Sequence, residues 1–357
     1  MTQMTEWVGD RIHVVGAGLL GTSIGLALAR VGVEVWLSDR SQDNVRTAAG
    51  LGAGVPAPHG RTAPVVVVAV PPTSIPQVVA RSLAAGSLVT DVGSVKWPLV
   101  ERIGRLVGPE ALTHYVGSHP MAGSERSGPL AATAALFDGR PWAITPHPTS
   151  SDQAVDTIEL LAAACGAATV RITPRDHDRA VALTSHLPHL MAVLVAGRLL
   201  DADPRQLALS GQGVRDVTRI AAGDPALWRQ ILISNAPALR EVLSDIQLEL
   251  DELIGALDEP EDLDEVLRRG VAGTQVIPGK HGGPAEETAS VHVSVPDHSG
   301  ELARLFHDVG EIGTNIEDLR IDHDPGRPVG LVELVVKDTS ADPLRDALEA
   351  RDWVVHR

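Results

Sequence analysis

The sequence predicts an α/β chain in three parts: a doubly wound parallel sheet, an all-α middle segment and a small β-α-β-β-α-β domain. Three observations carry this. Strand-like runs alternate with helical stretches up to about residue 173. Strand signals then stop, and long stretches with apolar residues at helical spacing take over. Beyond a Pro/Gly-rich stretch, Val276–Thr288, the β pattern returns.

In order, Arg11–Val15 (RIHVV) reads as a buried strand, followed by a glycine-rich turn and the apolar helix Leu19–Val31. Val33–Ser38 is a second strand ending at Asp39, and Pro64–Val70 is a β-branched run stopped by Pro71-Pro72. Leu88–Val92 and Tyr115–Ser118 are further strands. Uninterrupted valine runs suit strands covered on both faces. Asp176–Leu200 reads as one long helix with a kink at Pro188. Ala226–Leu257 carries apolar residues at helical spacing, from Leu227 and Ile231 to Ile254 and Leu257, with Pro237 splitting it in two. Apolar helices with so few strands to pack on predict a homodimer. After the linker, strands are expected at Ser290–Val295, Asn315–Ile321, Gly330–Val336 and Trp353–Val355, with helices at Glu301–Ile312 and Ala341–Ala350, a ferredoxin-like order. The expected parts are residues 1–173, 174–275, linker 276–288, and 289–357.

Composition excludes several classes. Hydrophobic residues make up 44% and charged residues 21% of the 357, which rules out wholesale disorder. The formal net charge of −16 argues against nucleic-acid binding, which needs phosphate neutralisation, and against an anionic membrane surface. A local arginine can still hold a small anionic substrate. Cys165 is the lone cysteine, so no internal disulfide forms, and a reducing cytoplasm fits. The first ten residues carry acids and no apolar stretch, unlike a signal peptide, and Val65–Val70 is too short to cross a bilayer.

Gly16-Ala17-Gly18-Leu19-Leu20-Gly21 is G-x-G-x-x-G, following a strand and opening a helix. Gly16 suits the tight turn, Gly18 the approach of a pyrophosphate, and Gly21 close helix–strand packing. The helix N-terminus offers unpaired N–H groups to the phosphates. Asp39, ending the next strand, suits ribose hydroxyls and repels a 2′-phosphate, which favours NAD over NADP; Arg40 beside it can offset that repulsion. This makes the first part Rossmann-like. The bland alternative is a glycine-rich turn that binds nothing.

Three polar clusters are not explained by packing: Asp91–Lys96, Gly117–Glu125, and Ser185–His189 joined by Arg215–Arg219. The first two follow strands, where ligands bind in such sheets. His119 is the acid/base candidate, since imidazole titrates near neutrality and its Pro and Gly neighbours place it on a loop. Ser94 can orient it or bond a substrate hydroxyl, and Arg219 can hold a carboxylate. Each has a structural alternative: a packed histidine, a turn serine, a solvated helix face for Arg215 and Asp216. His186 and His189, three apart, share a helix face, but no third metal ligand is evident.

Together VVGAGLLGTSIGLAL, TDVGSVK, GSHPMAGSERSG, DHDRAVALTSHLPH and GVRDVTRIAAGDPALW resemble the prephenate/arogenate dehydrogenase family of tyrosine biosynthesis, over nearly the whole chain. The resemblance implies oxidative decarboxylation of a cyclohexadienol with NAD: prephenate to 4-hydroxyphenylpyruvate, or arogenate to tyrosine. It implies that His119 takes the hydroxyl proton or hydrogen-bonds that hydroxyl as C=O character develops, and that Ser94 orients His119 and the hydroxyl. Arg219 would bind a carboxylate, His186, His189, Ser124 and Glu125 would line the pocket, and Asp216 would position Arg219 or close the site. The segment from Val293 to Ile321 resembles an ACT domain, with His298 where a basic residue is usual. That implies an aromatic amino-acid effector near Asp297, Gly300, Asn315 and Ile316. Two other readings compete. A β-hydroxyacid dehydrogenase needs a helical lysine, yet the only lysines are Lys96, Lys280 and Lys337, none in the long helices. A non-catalytic dinucleotide and amino-acid sensor would have no use for the SHP and SHLPH clusters.

Overall fold

The structure, a computed structural model, describes residues 11–123, 126–277, 287–323 and 329–356. The chain divides into two compact units, Met1–Asp251 and Glu252–Arg357.

The first unit opens with β1 (Arg11–Val15), α1 (Leu19–Arg30), β2 (Glu34–Ser38), α2 (Gln42–Gly50), β3 (Val55–Pro56) and β4 (Val65–Val68). Next come α3 (Ile75–Ala84), β5 (Leu88–Asp91), α4 (Trp97–Gly104) and the short α5 (Pro109–Leu112). The strands pair in parallel in the order β3-β2-β1-β4-β5. The all-valine β4 is buried throughout, and its side chains alternate between two cores. Val65 and Val67 join Ile12, Ile24 and Leu28, while Val66 and Val68 join Ile75, Val79 and Ile103. Strand geometry sends successive side chains to opposite faces, so both faces are covered, as the valine run predicts.

The chain then departs from the expectation. Tyr115 makes only a single parallel bridge to Val89, and the strand proper is β6, Gly117–Pro120. It turns to pair antiparallel with β7 (Pro141–Thr145), which in turn pairs in parallel with β8 (Ala168–Arg171) after α6 (Asp152–Ala164). His119, expected on a loop, is therefore a strand residue opposite Ala143.

The helical part runs from α7 (Pro174–Val181) through a π-helical segment, Ala182–His186, into α8 (Leu187–Arg198). The expected irregularity at Pro188 takes this form. Proline lacks an N–H and its ring collides with the carbonyl four residues back, at Thr184, and a wider turn relieves both. The continuous helix Pro174–Asp201 is long and apolar enough to cross a membrane by length and composition. Its first turns, however, carry Arg175, Asp176, His177, Asp178 and Arg179. Short helices α9 (Pro204–Leu207) and α10 (Gln212–Thr218) follow, then α11 (Pro225–Ser234) and α12 (Ala236–Ala256). The break falls at Asn235, and Pro237 sits in the first turn of α12, where its missing N–H costs nothing.

The second unit contains α13 (Pro260–Gln275), β9 (Thr288–Pro296), α14 (Glu301–Ile312), β10 (Asp318–His323), β11 (Val329–Lys337), α15 (Asp338–Glu349) and β12 (Val354–His356). The sheet is antiparallel throughout, in the order β10-β11-β9-β12, the β-α-β-β-α-β arrangement expected. Val291, Val293, Val332, Leu334, Leu305 and Leu344 form its core.

Candidate active site

At the end of β1 the Gly16 N–H donates to the Ser38 carbonyl at 2.7 Å. Gly16 has φ +108°, and a Cβ there would lie 2.1 Å from the Ala69 carbonyl oxygen; one at Gly21 would lie 1.8 Å from that of Gly16. Both positions exclude a side chain by contact with backbone. Gly18 differs: a Cβ there meets nothing within 4 Å. That open face at the uncapped start of α1 fits a pyrophosphate approaching bare N–H groups. The Asp39 carboxylate accepts from Ala17 N and Ser41 N, both at 2.8 Å, which fixes it beside the loop. The residues present therefore fit a dinucleotide.

A cleft of about 1440 Å³ extends from this loop, past Gly16, Gly18, Leu19, Leu20, Asp39 and Arg40, to Ser94 and His119. Leu227 and Ile231 of α11 also line it. The volume exceeds the ~300–1,000 Å³ of an ordinary small-ligand pocket and suits a dinucleotide plus a small substrate. Eight of the residues singled out from the sequence thus share one cavity. Gly21 lies behind them, buried under the turn.

His119 Nδ1 lies 3.0 Å from His177 Nε2, and His177 Nδ1 lies 2.8 Å from Asp178 Oδ1. Asp178 also accepts from the backbone N–H groups of Lys96 and Trp97, each at 2.8 Å. Burial, reinforced by His177 and Lys96, pushes the His119 pKa well below the usual imidazole range, so the ring is neutral near pH 7. Beneath it the Lys96 ammonium is fully buried, 2.6 Å from Asp91 Oδ2 and 2.7 Å from the Ser118 carbonyl. The Tyr115 hydroxyl donates to Asp91 Oδ1 at 2.6 Å. Through Lys96 this ion pair ties the end of β5 to β6.

His186 and His189 are buried in the helical layer. His186 Nδ1 accepts from Asn235 Nδ2 at 3.2 Å, and burial lowers its pKa to about 4. His189 stacks face to face on Trp228, ring centroids 3.5 Å apart, and its buried Nδ1 has no partner. Arg219 and Asp216 are exposed on and beyond α10, outside the residues lining the cleft; Asp216 accepts from Gln212 at 3.0 Å. Ser124 and Glu125 lie outside the described residues, though their neighbours Gly123 and Arg126 line the cleft. In the second unit Asp297 and Gly300 sit on the exposed turn before α14, Asn315 donates to Glu317 at 2.6 Å, and Ile316 packs on the core. Among the described residues no group of three His, Cys, Asp or Glu is placed to hold a metal ion.

Sequence reasoning missed His177, Asp178, Asn235 and Trp228 as site residues. The signal for the first two was present: adjacent polar residues at the start of an otherwise apolar helix, which burial there must pair.

A phosphate-binding loop and a neutral histidine facing one cleft define a dinucleotide-dependent oxidoreductase. Residues 24–171 match the prephenate dehydrogenase nucleotide-binding domain family, and residues 173–269 match the prephenate dehydrogenase dimerization domain family. A Streptomyces niveus protein, "Probable prephenate dehydrogenase NovF", is 37% identical over 355 residues, 95% of this chain and 98% of that protein. The chain belongs to the prephenate dehydrogenase family. Among solved structures, prephenate dehydrogenase from A. aeolicus, in complex with hydroxyphenyl propionate and NAD+, superposes with TM-score 0.67 at 25% identity, over 74% of this chain and 98% of that one. Synechocystis arogenate dehydrogenase gives 0.65 at 26% identity, also over 74% and 98%.

Proposed function

We propose that this chain oxidises and decarboxylates prephenate to 4-hydroxyphenylpyruvate with NAD as cofactor. The observation that carries the reading is the single cleft joining the Gly16–Gly21 loop to His119, a neutral imidazole. NAD bound on Gly16, Gly18, Leu19, Leu20, Asp39 and Arg40 supplies the hydride acceptor. His119 accepts the hydroxyl proton as the carbinol carbon loses hydride, and Ser94 orients that hydroxyl. Loss of the ring carboxylate as CO₂ returns an electron pair to the ring, and the proton held on His119 goes back to the new phenol oxygen. No net proton is released. The family resemblance gives Arg219 the binding of a substrate carboxylate, Asp216 the positioning of Arg219, and His186, His189, Ser124 and Glu125 a place in the pocket; Arg219 and Asp216 stand outside the residues that line the cleft, so their roles rest on that resemblance.

The second unit serves as an ACT-type regulatory domain, with an aromatic amino acid held near Asp297, Gly300, Asn315 and Ile316. The β-α-β-β-α-β order and the exposed turn before α14 support this. The working form is a cytoplasmic homodimer. Leu194, Leu200 and Leu248 leave apolar surface exposed, and the 173–269 match is to a dimerization domain. The domains proposed are 1–173, 174–275 and 289–357, joined by 276–288.

The test mixes purified enzyme with NAD⁺ or NADP⁺ and with prephenate or arogenate, and follows reduced nicotinamide by absorbance. Turnover with prephenate and NAD⁺ is expected. Turnover with arogenate alone makes the product tyrosine. Silence in all four mixtures, from folded protein that binds NAD⁺, overturns the enzyme reading.

A further inference from the structure

We infer that His177 and Asp178 are positioning residues that hold His119 as the Nδ1–H tautomer and stabilise its imidazolium. The inference rests on His119 being the base.

The argument is a count of donors and acceptors. Asp178 is surrounded by donors: the N–H groups of Lys96 and Trp97, and the Nδ1 edge of His177. An ionised carboxylate only accepts, so His177 Nδ1 carries a proton. The other nitrogen of a neutral His177, Nε2, then bears a lone pair. It faces His119 Nδ1 at 3.0 Å, which must be the donor. The remaining nitrogen of His119, Nε2, is left with the lone pair that a general base needs. Among the described residues, this is the side-chain hydrogen bond that selects between the tautomers of His119.

The relay also answers a charge problem. When Nε2 takes the substrate proton, the O–H bond breaks, an N–H bond forms, and a cation appears in a buried site. The charged and titratable groups facing it are Lys96 from the β5–α4 segment, His177 from α7 and His186 from the π-helical segment. Lys96 is already neutralised by Asp91. Asp178 is the anion next in line, reached through His177. Burial and these neighbours lower the His119 pKa, which makes such stabilisation necessary.

The test compares His177→Leu, which removes the acceptor, with His177→Gln, whose amide oxygen can still accept from His119, and with Asp178→Asn. Each full-length variant is assayed with prephenate and NAD⁺ for kcat, KM and pH profile, alongside NAD⁺ affinity and melting temperature. His177→Leu should lower kcat by about 10–10³-fold, within the range of lost general-base assistance, with KM changed less than about threefold. His177→Gln should recover most of that loss. The acid limb of the kcat profile should move to lower pH in Asp178→Asn, because the imidazolium has lost its anion. If His177→Leu does not fold, His177→Asn, polar but too short to reach, takes its place. Equal losses in the Leu and Gln variants, wild-type kcat in His177→Leu, or an unmoved acid limb in Asp178→Asn overturn the relay. His119→Asn separates the two readings: inactive His119→Asn beside an unaffected His177→Leu sinks the relay alone, whereas an active His119→Asn sinks the base assignment itself.

Discussion

Lys96→Met removes one charge from the centre of the site while keeping most of the side-chain volume. The Lys96 ammonium and the Asp91 carboxylate are both fully buried, 2.6 Å apart. The substitution deletes that bond and the bond of 2.7 Å to the Ser118 carbonyl. Asp91 keeps the Tyr115 hydroxyl at 2.6 Å and the Gly93 N–H at 2.8 Å, both neutral donors. Breaking a buried pair this way costs about 3–5 kcal/mol, because a charge is left uncompensated. At roughly 2–4 °C per kcal/mol for a unit of this size, the melting temperature should fall by about 6–20 °C. Calorimetry on the full chain reads this directly. Asp91→Asn combined with Lys96→Met should cost less than the two changes summed, by about 1 kcal/mol or more, since the double variant strands no charge. Activity gives a second reading. Lys96 is among the groups that depress the His119 pKa, so the acid limb of kcat should move to higher pH. A melting temperature within about 2 °C of wild type, or strictly additive costs in the double variant, would show that the pair does not hold β5 and β6 together.

The remaining predictions follow from the same geometry. Gly18→Val should leave the melting temperature nearly unchanged, because its Cβ meets nothing within 4 Å, yet abolish most NAD⁺ affinity measured by fluorescence titration. Gly21→Ala, driven into the Gly16 carbonyl, should instead destabilise the fold. Asp39→Ser should weaken NAD⁺ and improve NADP⁺, by roughly tenfold each in KM, by removing the carboxylate that repels a 2′-phosphate. Stability should fall as pH drops from about 6.5 towards 4. Burial lowers the folded-state pKa of His186 to about 4, and lowers those of His13, His119, His147 and His189 as well. Over that window the unfolded chain binds more protons, so each such histidine steepens the loss by up to about 1.4 kcal/mol per pH unit, and none adds a slope well above pH 7. Denaturant midpoints across pH, with His186→Gln as the variant that should flatten the curve, test it.

Much of the architecture was legible because it depends on local periodicity. The buried strand read from the valine run of β4 and the tight turn read from the glycine spacing after β1 both follow from local chain geometry, and both hold in the structure. The second sheet was not legible. β7 begins with a proline and β8 is exposed along its length, so neither shows the buried β-branched run that marked the first sheet. The placement of His119 failed for the same reason, since its strand exists only by pairing with β7.

The site was half legible, and the missing half is instructive. Gly16, Asp39, Ser94 and His119 stand beside turns and strand ends, where chain geometry alone suggests a ligand. His177 and Asp178 lie 58 and more residues along the chain from His119 and become its partners only when α7 packs against the strand ends. Asp178 fastens that helix to the backbone of Lys96 and Trp97, and its own carbonyl accepts from Asn235 at 2.8 Å. The contacts that dock the helical layer onto the sheet are thus the same ones that orient His119. A substitution that loosens this docking should therefore appear first in the protonation behaviour of His119, the proposed base, and only later in global stability.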